Sequence, residues 1–460
     1  MQTSQTVRQP EGLGPDPVHA SDEAVGRSAL RKASVRLLPL IGLGYGIAYM
    51  DRVNVSFAAL QMNKQLHFSQ TVFGLGAGLF FLAYAALEVP SNLMLVRVGA
   101  RRWLARIMLT WGLISMGMIL VRTPLEFYTG RLLLGAAEAG FFPGIIFYLS
   151  QWFPAGERSK AVSRFYIAYP LSSTVMGAVA GGLLHLDGRV GLAGWQWLLM
   201  MEGLPAVALS AVFLLCLPDG PVKAAWLTEA EREWVVRKLR EEPGEAAHGS
   251  HGAGRAFLDP RVGLLGGFLF CLYIGSYGYT FIAPALLQQV THASTTVIGL
   301  IIAALGLVGA AAMLLNGWHS DRSGERYLHI LGPVLIMMAG FIGLGVSTRS
   351  GIVLAALVVL TIGFNALHGP VWTIPPSFLR GRSAAAGIAA INMIGILGGF
   401  VGPYWMGIMA DWTGGYKRGL LTIVAPLVTA AGLITVIHRY GERRARLFLV
   451  SGAAGAEPAG

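Results

Sequence analysis

GIAYMDRVNVSFA, residues 46–58, sets an aspartate beside an arginine inside a run that otherwise reads as a buried helix. A charge at the centre of a bilayer costs at least about 2.5 kcal/mol on insertion scales, so a chain keeps one there only opposite a partner or a water-filled cavity. Whether Asp51 and Arg52 lie in a membrane is decided by what surrounds them. The 460 residues are 54% hydrophobic and 13% charged, with 61 glycines, which excludes an ordinary soluble domain. Apolar runs of spanning length lie at 36–58, 70–94, 103–122, 125–150, 160–185, 194–217, 261–287, 295–318, 327–347, 351–377, 384–409 and 416–437, twelve in all. The expected fold is an all-α polytopic membrane protein, and the Asp51–Arg52 pair falls inside its first span.

Twelve spans place both termini on one side, and Lys and Arg in the short loops choose which. The loops after spans 2, 4, 8 and 10 hold eleven: Arg97, Arg101, Arg102, Arg106, Arg158, Lys160, Arg164, Arg322, Arg326, Arg380 and Arg382. The opposite loops hold six: Lys64, Arg122, Arg189, Arg349, Lys417 and Arg418. Both termini are therefore expected in the cytoplasm. This bias, with the basic stretch HRYGERRAR (438–446), explains the net charge of +11 through lipid and removes the need for nucleic acid. Residues 1–35, rich in Pro, Gly and Ser and without a cleavable leader pattern, read as a mobile cytoplasmic tail. The remaining divisions are bundles at 36–217 and 261–437, a linker at 218–260 and a C-terminal tail at 438–460.

The two bundles read as copies of one unit. GWHSDRSGER (317–326) follows span 8, and NLMLVRVGARR (92–102) is a degraded copy after span 2; aligning Gly99 with Gly324 gives an offset of 225. Arg158-Ser159 and Arg382-Ser383 give 224 independently. Within the linker, TEAEREWVVRKLR opens with a capping box, Thr228 and Glu231, and carries an apolar stripe, so a surface helix is expected there. PGEAAHGSHGAGR after it reads as a flexible tether. Cys216 and Cys271, both inside spans, have neither disulfide nor metal spacing and read as core packing. No phosphate loop, catalytic triad, cofactor motif or metal-ligand cluster is present in the pattern.

Tyr45, Tyr49 and Arg52 stand at i, i+4 and i+7, which stacks two phenols and a guanidinium on one helical face. Such a face suits a carboxylate, since Arg supplies a rigid two-pronged fork and tyrosine supplies hydroxyl donors. Arg131 and Glu138, seven residues apart on span 4, also share a face. A buried carboxyl near an arginine is caught between burial, which favours its protonated form, and the arginine, which favours its charge. It can change protonation when a substrate anion competes for the arginine. Asp51 and Glu138 are read as the carboxylates set deep in the central helices of the first half, with an ordering ion pair between Arg131 and Glu138 as the plainer alternative. Glu88, near Pro90, reads as a gate or loop anchor, and His368 as a packed histidine. Tyr273 and Tyr277 share a face of span 7, and Tyr279 does not.

YMDRVNVSFA, EVPSNLMLVRVGARRWLARI, RLLLGAAEAGFFPG, GLAGWQWLLMMEGLPA, GPVWTIPPSFLRGRSAAAGIAAIN and LGGFVGPYWMGIMADWTGG together resemble the major facilitator superfamily, and within it the anion:cation symporters of organic acids. The resemblance covers residues 36–437 and implies twelve transmembrane helices in two six-helix pseudo-repeat bundles, with one site at their interface. It implies that Arg52 holds the substrate carboxylate and that Asp51 and Glu138, with Arg131, carry proton coupling. Tyr49 and Tyr84, Trp372 and Thr373, and Asn392 at the end of its motif would line the cavity. Gly317, Asp321, Arg322, Arg97 and Arg101 would belong to the gating loops. Two positions depart from the pattern of sugar-acid carriers: Tyr169 stands where a glutamine is usual, and Ile396 where many members have asparagine. Both remove an amide that could bind a hydroxyl. The expected function is import of an organic carboxylate, tartrate-like, sugar-acid or aromatic, with protons across a bacterial inner membrane, by a monomer without cofactor or metal. An anion exchanger and, from another class, a membrane anion sensor are the rival readings.

Overall fold

The structure is a computed structural model that describes residues 17–241, 259–379 and 382–454. Twelve of its helices are long and apolar enough to cross a membrane. In the first half these are span 1 (Asp22–Gln65), span 2 (Gln70–Val98), span 3 (Ala100–Leu120), span 4 (Pro124–Ser150), span 5 (Gly156–Leu184) and span 6 (Gly194–Cys216). The second half holds span 7 (Pro260–Thr291), span 8 (Thr295–Ser323), span 9 (Leu328–Val346), span 10 (Ser350–Val371), span 11 (Gly387–Thr413) and span 12 (Lys417–Tyr440). The described residues are helical throughout, with short connections, and their lipid-facing positions carry apolar side chains such as Leu43, Leu113, Leu307 and Leu314.

Glycines let the helices meet at backbone distance. Between spans 3 and 6, a Cβ added to Gly112 would come within 2.8 Å of the Gly203 carbonyl oxygen. The halves meet the same way: Gly177 of span 5 faces the Gly299 oxygen of span 8 at 2.5 Å, and Gly74 of span 2 faces the Pro403 oxygen of span 11 at 2.3 Å, each measured from an added Cβ. Gly181 against Thr296 and Gly407 against Gln70 carry both seams to the ends of those helices. Span 1 begins beside the linker and span 2 begins at the opposite end, so these seams close the end of the bundle away from the linker.

The copied loops share a backbone device. Spans 2 and 8 each stop at a glycine with positive φ, Gly99 at 97° and Gly324 at 68°, the two residues that the sequence repeat aligns. The linker helix runs Glu229–Glu241 and its capping box is reciprocal: the Glu231 amide donates to Thr228 Oγ1 at 3.3 Å and the Thr228 amide to Glu231 Oε2 at 2.9 Å. The tether 242–258 and Arg380 lie outside the described residues.

Two expectations are corrected. The segment before residue 36 is not a free tail over its described length: the first helix starts at Pro17, with Ala29 and Ala33 buried. The linker helix holds it, through Trp234 packed against Gly26, Glu231 accepting from Lys32 Nζ at 2.8 Å and from Ser28 Oγ at 2.6 Å, and Arg237 paired with Asp22. Cys216 is exposed at the end of span 6 rather than packed in the core; Cys271 is buried.

Candidate functional site

The span 1 face that carries Tyr45, Tyr49 and Arg52 lines a cavity of about 50 Å³ between the halves. That is room for a few waters, so an organic anion can enter only if the aromatic walls move. Tyr84, Tyr169, Tyr273, Tyr277, Trp372 and Asn392 complete the wall from spans 2, 5, 7, 10 and 11. Thr373 does not join them. Its side chain is exposed and donates to the Pro370 oxygen at 2.7 Å, because it points about 100° away from Trp372. Phe142, Tyr166, Phe364 and His368 also line the cavity, and Ile396 contributes the apolar surface that its departure from the family pattern implies. His368 Nδ1 is bonded to the Phe364 oxygen at 2.9 Å, the satisfied arrangement expected for a packed histidine.

The charges pair differently from their order in the chain. Arg52 Nη2 donates to Glu138 Oε1 in a short contact, and both side chains are buried. Asp51, fully buried, turns away from the cavity, where its Oδ1 accepts from Ser115 Oγ of span 3 and from Asn54 Nδ2 at 3.3 Å. Arg131 is 1% exposed and shares no hydrogen bond with Glu138; it lies within electrostatic reach of both Asp51 and Glu138. The direct Arg131–Glu138 pair that seven-residue spacing allowed is therefore replaced by a crossed arrangement, in which Arg52 bonds Glu138 and Arg131 lies in the field of Asp51 as well as of Glu138. One ring serves both cations: Phe80 lies 5.3 Å from the Arg52 guanidinium and 4.9 Å from that of Arg131, with Tyr84 at 5.2 Å from Arg52. Phe80 was invisible in the sequence, where one phenylalanine in an apolar run resembles any other.

Local backbone sets Glu138. The first part of span 4, Pro124–Glu138, ends at this residue, and Gly140 turns the chain with φ of 85°. A Cβ there would stand 2.5 Å from Ser91 Oγ, so both conformation and space demand glycine. Such interruptions of a spanning helix beside a central site recur in carriers.

Two further deep carboxylates correct the reading of Asp51 and Glu138 as the deep pair of the first half. Glu88, 3% exposed, accepts from Asn392 Nδ2 at 2.9 Å and so bonds the two halves together. Glu202, 5% exposed in the middle of span 6, has no hydrogen-bond partner on either oxygen. Its signal was present in GWQWLLMMEGLPA, as an acid inside an apolar run.

Tyr49 Oη donates to Tyr169 Oη at 3.2 Å, with the rings edge to face at 4.4 Å. This pair walls the central cavity from a second one of about 90 Å³, lined by Val53, Phe57, Pro284, Ile302 and neighbours on the closed side. In the loops, Asp321 accepts from Arg326 Nη1 at 2.6 Å, while Arg322 lies over Trp318 at 5.5 Å and Gly317 faces open space. Arg97 is exposed in the last turn of span 2; the Arg101 amide donates to Asp219 Oδ1 at 3.1 Å and its Nε to the Leu214 carbonyl, tying the loop to the start of the linker. Among the described residues no cluster of three or more His, Cys, Asp or Glu is arranged to hold a metal.

Residues 41–403 match the family model described as Major Facilitator Superfamily. The chain belongs to the major facilitator superfamily. A protein of Agrobacterium vitis named "Putative tartrate transporter" is 45% identical to it over 410 residues, covering 89% of this chain and 91% of its own. A "Quinolone resistance transporter" of Acinetobacter baumannii is 37% identical over 424 residues, 91% of this chain and 96% of that one. The solved structure of a bacterial homolog to the human lysosomal transporter Spinster, inward-facing and unoccupied, superposes with a TM-score of 0.72 at 17% identity over 93% of this chain and 98% of its own, a likeness of fold. This superfamily member is thus a multi-pass membrane transporter and not an enzyme.

Proposed function

We propose that the protein imports an organic carboxylate anion with protons, by alternating access between the two halves. The buried ion pair between Glu138 and Arg52, the arginine that lines the cavity, carries this reading. A substrate carboxylate that enters must take the Arg52 fork from Glu138. Glu138, left without its arginine in a buried site, then takes up a proton rather than stay an unpaired charge. The substrate and its proton travel together because each one's place depends on the other's. Asp51 and Arg131 form the second half of this switch, behind span 1. Tyr45, Tyr49, Tyr84, Tyr169, Tyr273, Tyr277, Trp372 and Asn392 hold the body of the anion; Gly317, Asp321, Arg322, Arg97 and Arg101 act in the loops that gate one face. The lining is aromatic, with few amides, which favours a tartrate-like or aromatic acid over a polyhydroxylated sugar acid, and the name of the Agrobacterium relative supports the first of these. The charge bias of the loops supports a bacterial inner membrane with both termini in the cytoplasm, and a single site within one chain needs no second copy.

A ligand-stabilisation screen of purified protein identifies the anion, since a ligand at 100 times its Kd adds about 2.7 kcal/mol of apparent stability. Uptake of that anion into proteoliposomes is then measured with and without an imposed inward proton gradient. Accumulation only with the gradient is expected. Counterflow that runs equally well without it would make the protein an exchanger.

A further inference from the structure

Arginine stays protonated in proteins, so the buried charges of the first half can be counted. Arg52 and Arg131 bring two positive charges; Asp51, Glu88, Glu138 and Glu202 bring four carboxyl groups, all at most 5% exposed. Two of the four therefore have no cation to match them. Glu138 is bonded to Arg52 and Asp51 lies near Arg131. Glu88 has the Asn392 amide across the interface. Glu202 has no cation: neither buried oxygen has a partner within hydrogen-bond geometry, and the groups in its electrostatic reach are the acid Asp51 and the Asn54 amide. Asn54 stands with the two acids, donating to Asp51 at 3.3 Å and lying close to Glu202.

The packing explains why these acids meet. Gly203, the next residue along span 6, touches the Gly112 backbone and Met116 of span 3, which sets Glu202 on the same turn as Ser115, the donor to Asp51. Around Glu202, span 1 brings Asp51, with Arg131 behind it from span 4. Span 3 has no titratable group between Ile107 and Gly117, and span 5 has no charged group between Ala168 and Leu184. An ionised Glu202 would face a second anion in a place with no cation of its own.

We propose that Glu202 carries a proton in the resting protein and forms an acid pair with Asp51 behind span 1, so that the two hold one negative charge between them. The pair is a proton store on the side of span 1 away from the substrate: when Asp51 releases Arg131 and its side chain swings into contact with Glu202, the neutral Glu202 can give its Oε proton to Asp51 and take up the charge. This deepens the proton-coupled reading and rests on it for its use in transport, but the protonation itself is measurable without transport. Infrared spectra of the purified protein in lipid at neutral pH should show protonated-carboxyl carbonyl absorption, including a band that is absent in Glu202→Gln and kept in Glu202→Asp. In Asp51→Asn the same band should weaken at the same pH, because the neighbouring negative charge that holds the proton is gone. A band unchanged in Glu202→Gln, or unaffected by Asp51→Asn, would overturn the pair. If the band behaves as stated while wild-type uptake ignores a proton gradient, the pair stands and the symport reading falls.

Discussion

At the scale of single residues, Arg52 has the strongest requirement for its own geometry. It must bind Glu138 in the resting protein and a carboxylate in the loaded one, two partners that a planar fork fits alike. Arg52→Lys keeps the charge and loses the fork. Substrate affinity should fall roughly ten- to a hundredfold, the range for a charged hydrogen bond, with folded protein recovered at near wild-type yield. Isothermal titration with the screened anion checks this, and wild-type affinity would remove Arg52 from the site. Asp51→Asn and Glu138→Gln imitate the protonated acids and leave the arginines free. Both should bind substrate, both should fail to accumulate it under a proton gradient, and at least one should still exchange labelled for unlabelled substrate in the same vesicles. The face that carries Tyr45, Tyr49 and Arg52 could be read from spacing alone, because helical period is a local property. The crossed pairing of Arg52 with Glu138 could not, since it depends on how spans 1, 3 and 4 meet, and neither could the place of Phe80 between two guanidiniums.

At the scale of elements, the break in span 4 and the linker helix show what was legible and what was not. Gly140 sits in the left-handed region against Ser91, and Gly140→Ala should cost at least about 1–3 kcal/mol from backbone strain alone. A lower thermal midpoint with transport loss is expected; wild-type stability would mean the turn can be made another way. The linker helix was legible down to its capping box, because Thr228 and Glu231 are three residues apart. What it docks on was not, because Lys32 and Ser28 are about two hundred residues distant, and the segment before residue 36 therefore looked free. Burial opposes the Glu231 charge, but the bonds from Lys32, Ser28 and the Thr228 amide outweigh it and hold the carboxyl down to about 2. A carboxyl lowered on docking contributes its full stabilisation above its ordinary value of 4.5 and loses it as pH falls towards about 2. Hydrogen exchange across 229–241, measured at each pH against the rate of an unstructured chain at that pH, should accordingly stay strongly slowed at neutral pH and lose that protection progressively below pH 4.5. Glu231→Gln should quicken it at neutral pH with substrate binding unchanged, and equal protection in both proteins would deny the dock its ionic character.

At the scale of the whole molecule, the bundle is closed at the end away from the linker, and one carboxylate spans that seam. Asp411 of span 11 accepts from the Gln70 and Thr71 amides at 3.0 and 2.7 Å, capping the first turn of span 2 across the two halves, while Tyr416 Oη donates to Gln70 Oε1 at 2.8 Å. Removing a cap of this kind costs about 1 kcal/mol, so Asp411→Ala should favour opening at this end several-fold. With Cys216 and Cys271 replaced by serine, a cysteine placed at Ser173, in the second cavity, should react several-fold faster with a membrane-impermeant thiol reagent in that variant. Unchanged labelling would mean the glycine seams alone hold the end shut. Asp321→Asn, at the other end, should slow transport with little effect on binding, since its exposed pair with Arg326 touches no part of the cavity. Twelve spans and two copied halves were legible from hydropathy and from the aligned loops. The closed end was not, because it is a property of how the halves rest on one another.

The exchange at Arg52 is tested most directly by counting protons at the moment of binding. The anion identified by the stabilisation screen is added to purified protein in weakly buffered solution, and the pH is followed for wild type and for Glu138→Gln at saturating ligand. Proton uptake on binding by the wild type, and clearly less by Glu138→Gln with the anion still bound, is the expected result. Binding without proton uptake in the wild type, or equal uptake in both proteins, would contradict the claim that substrate and proton trade places on Arg52 and Glu138.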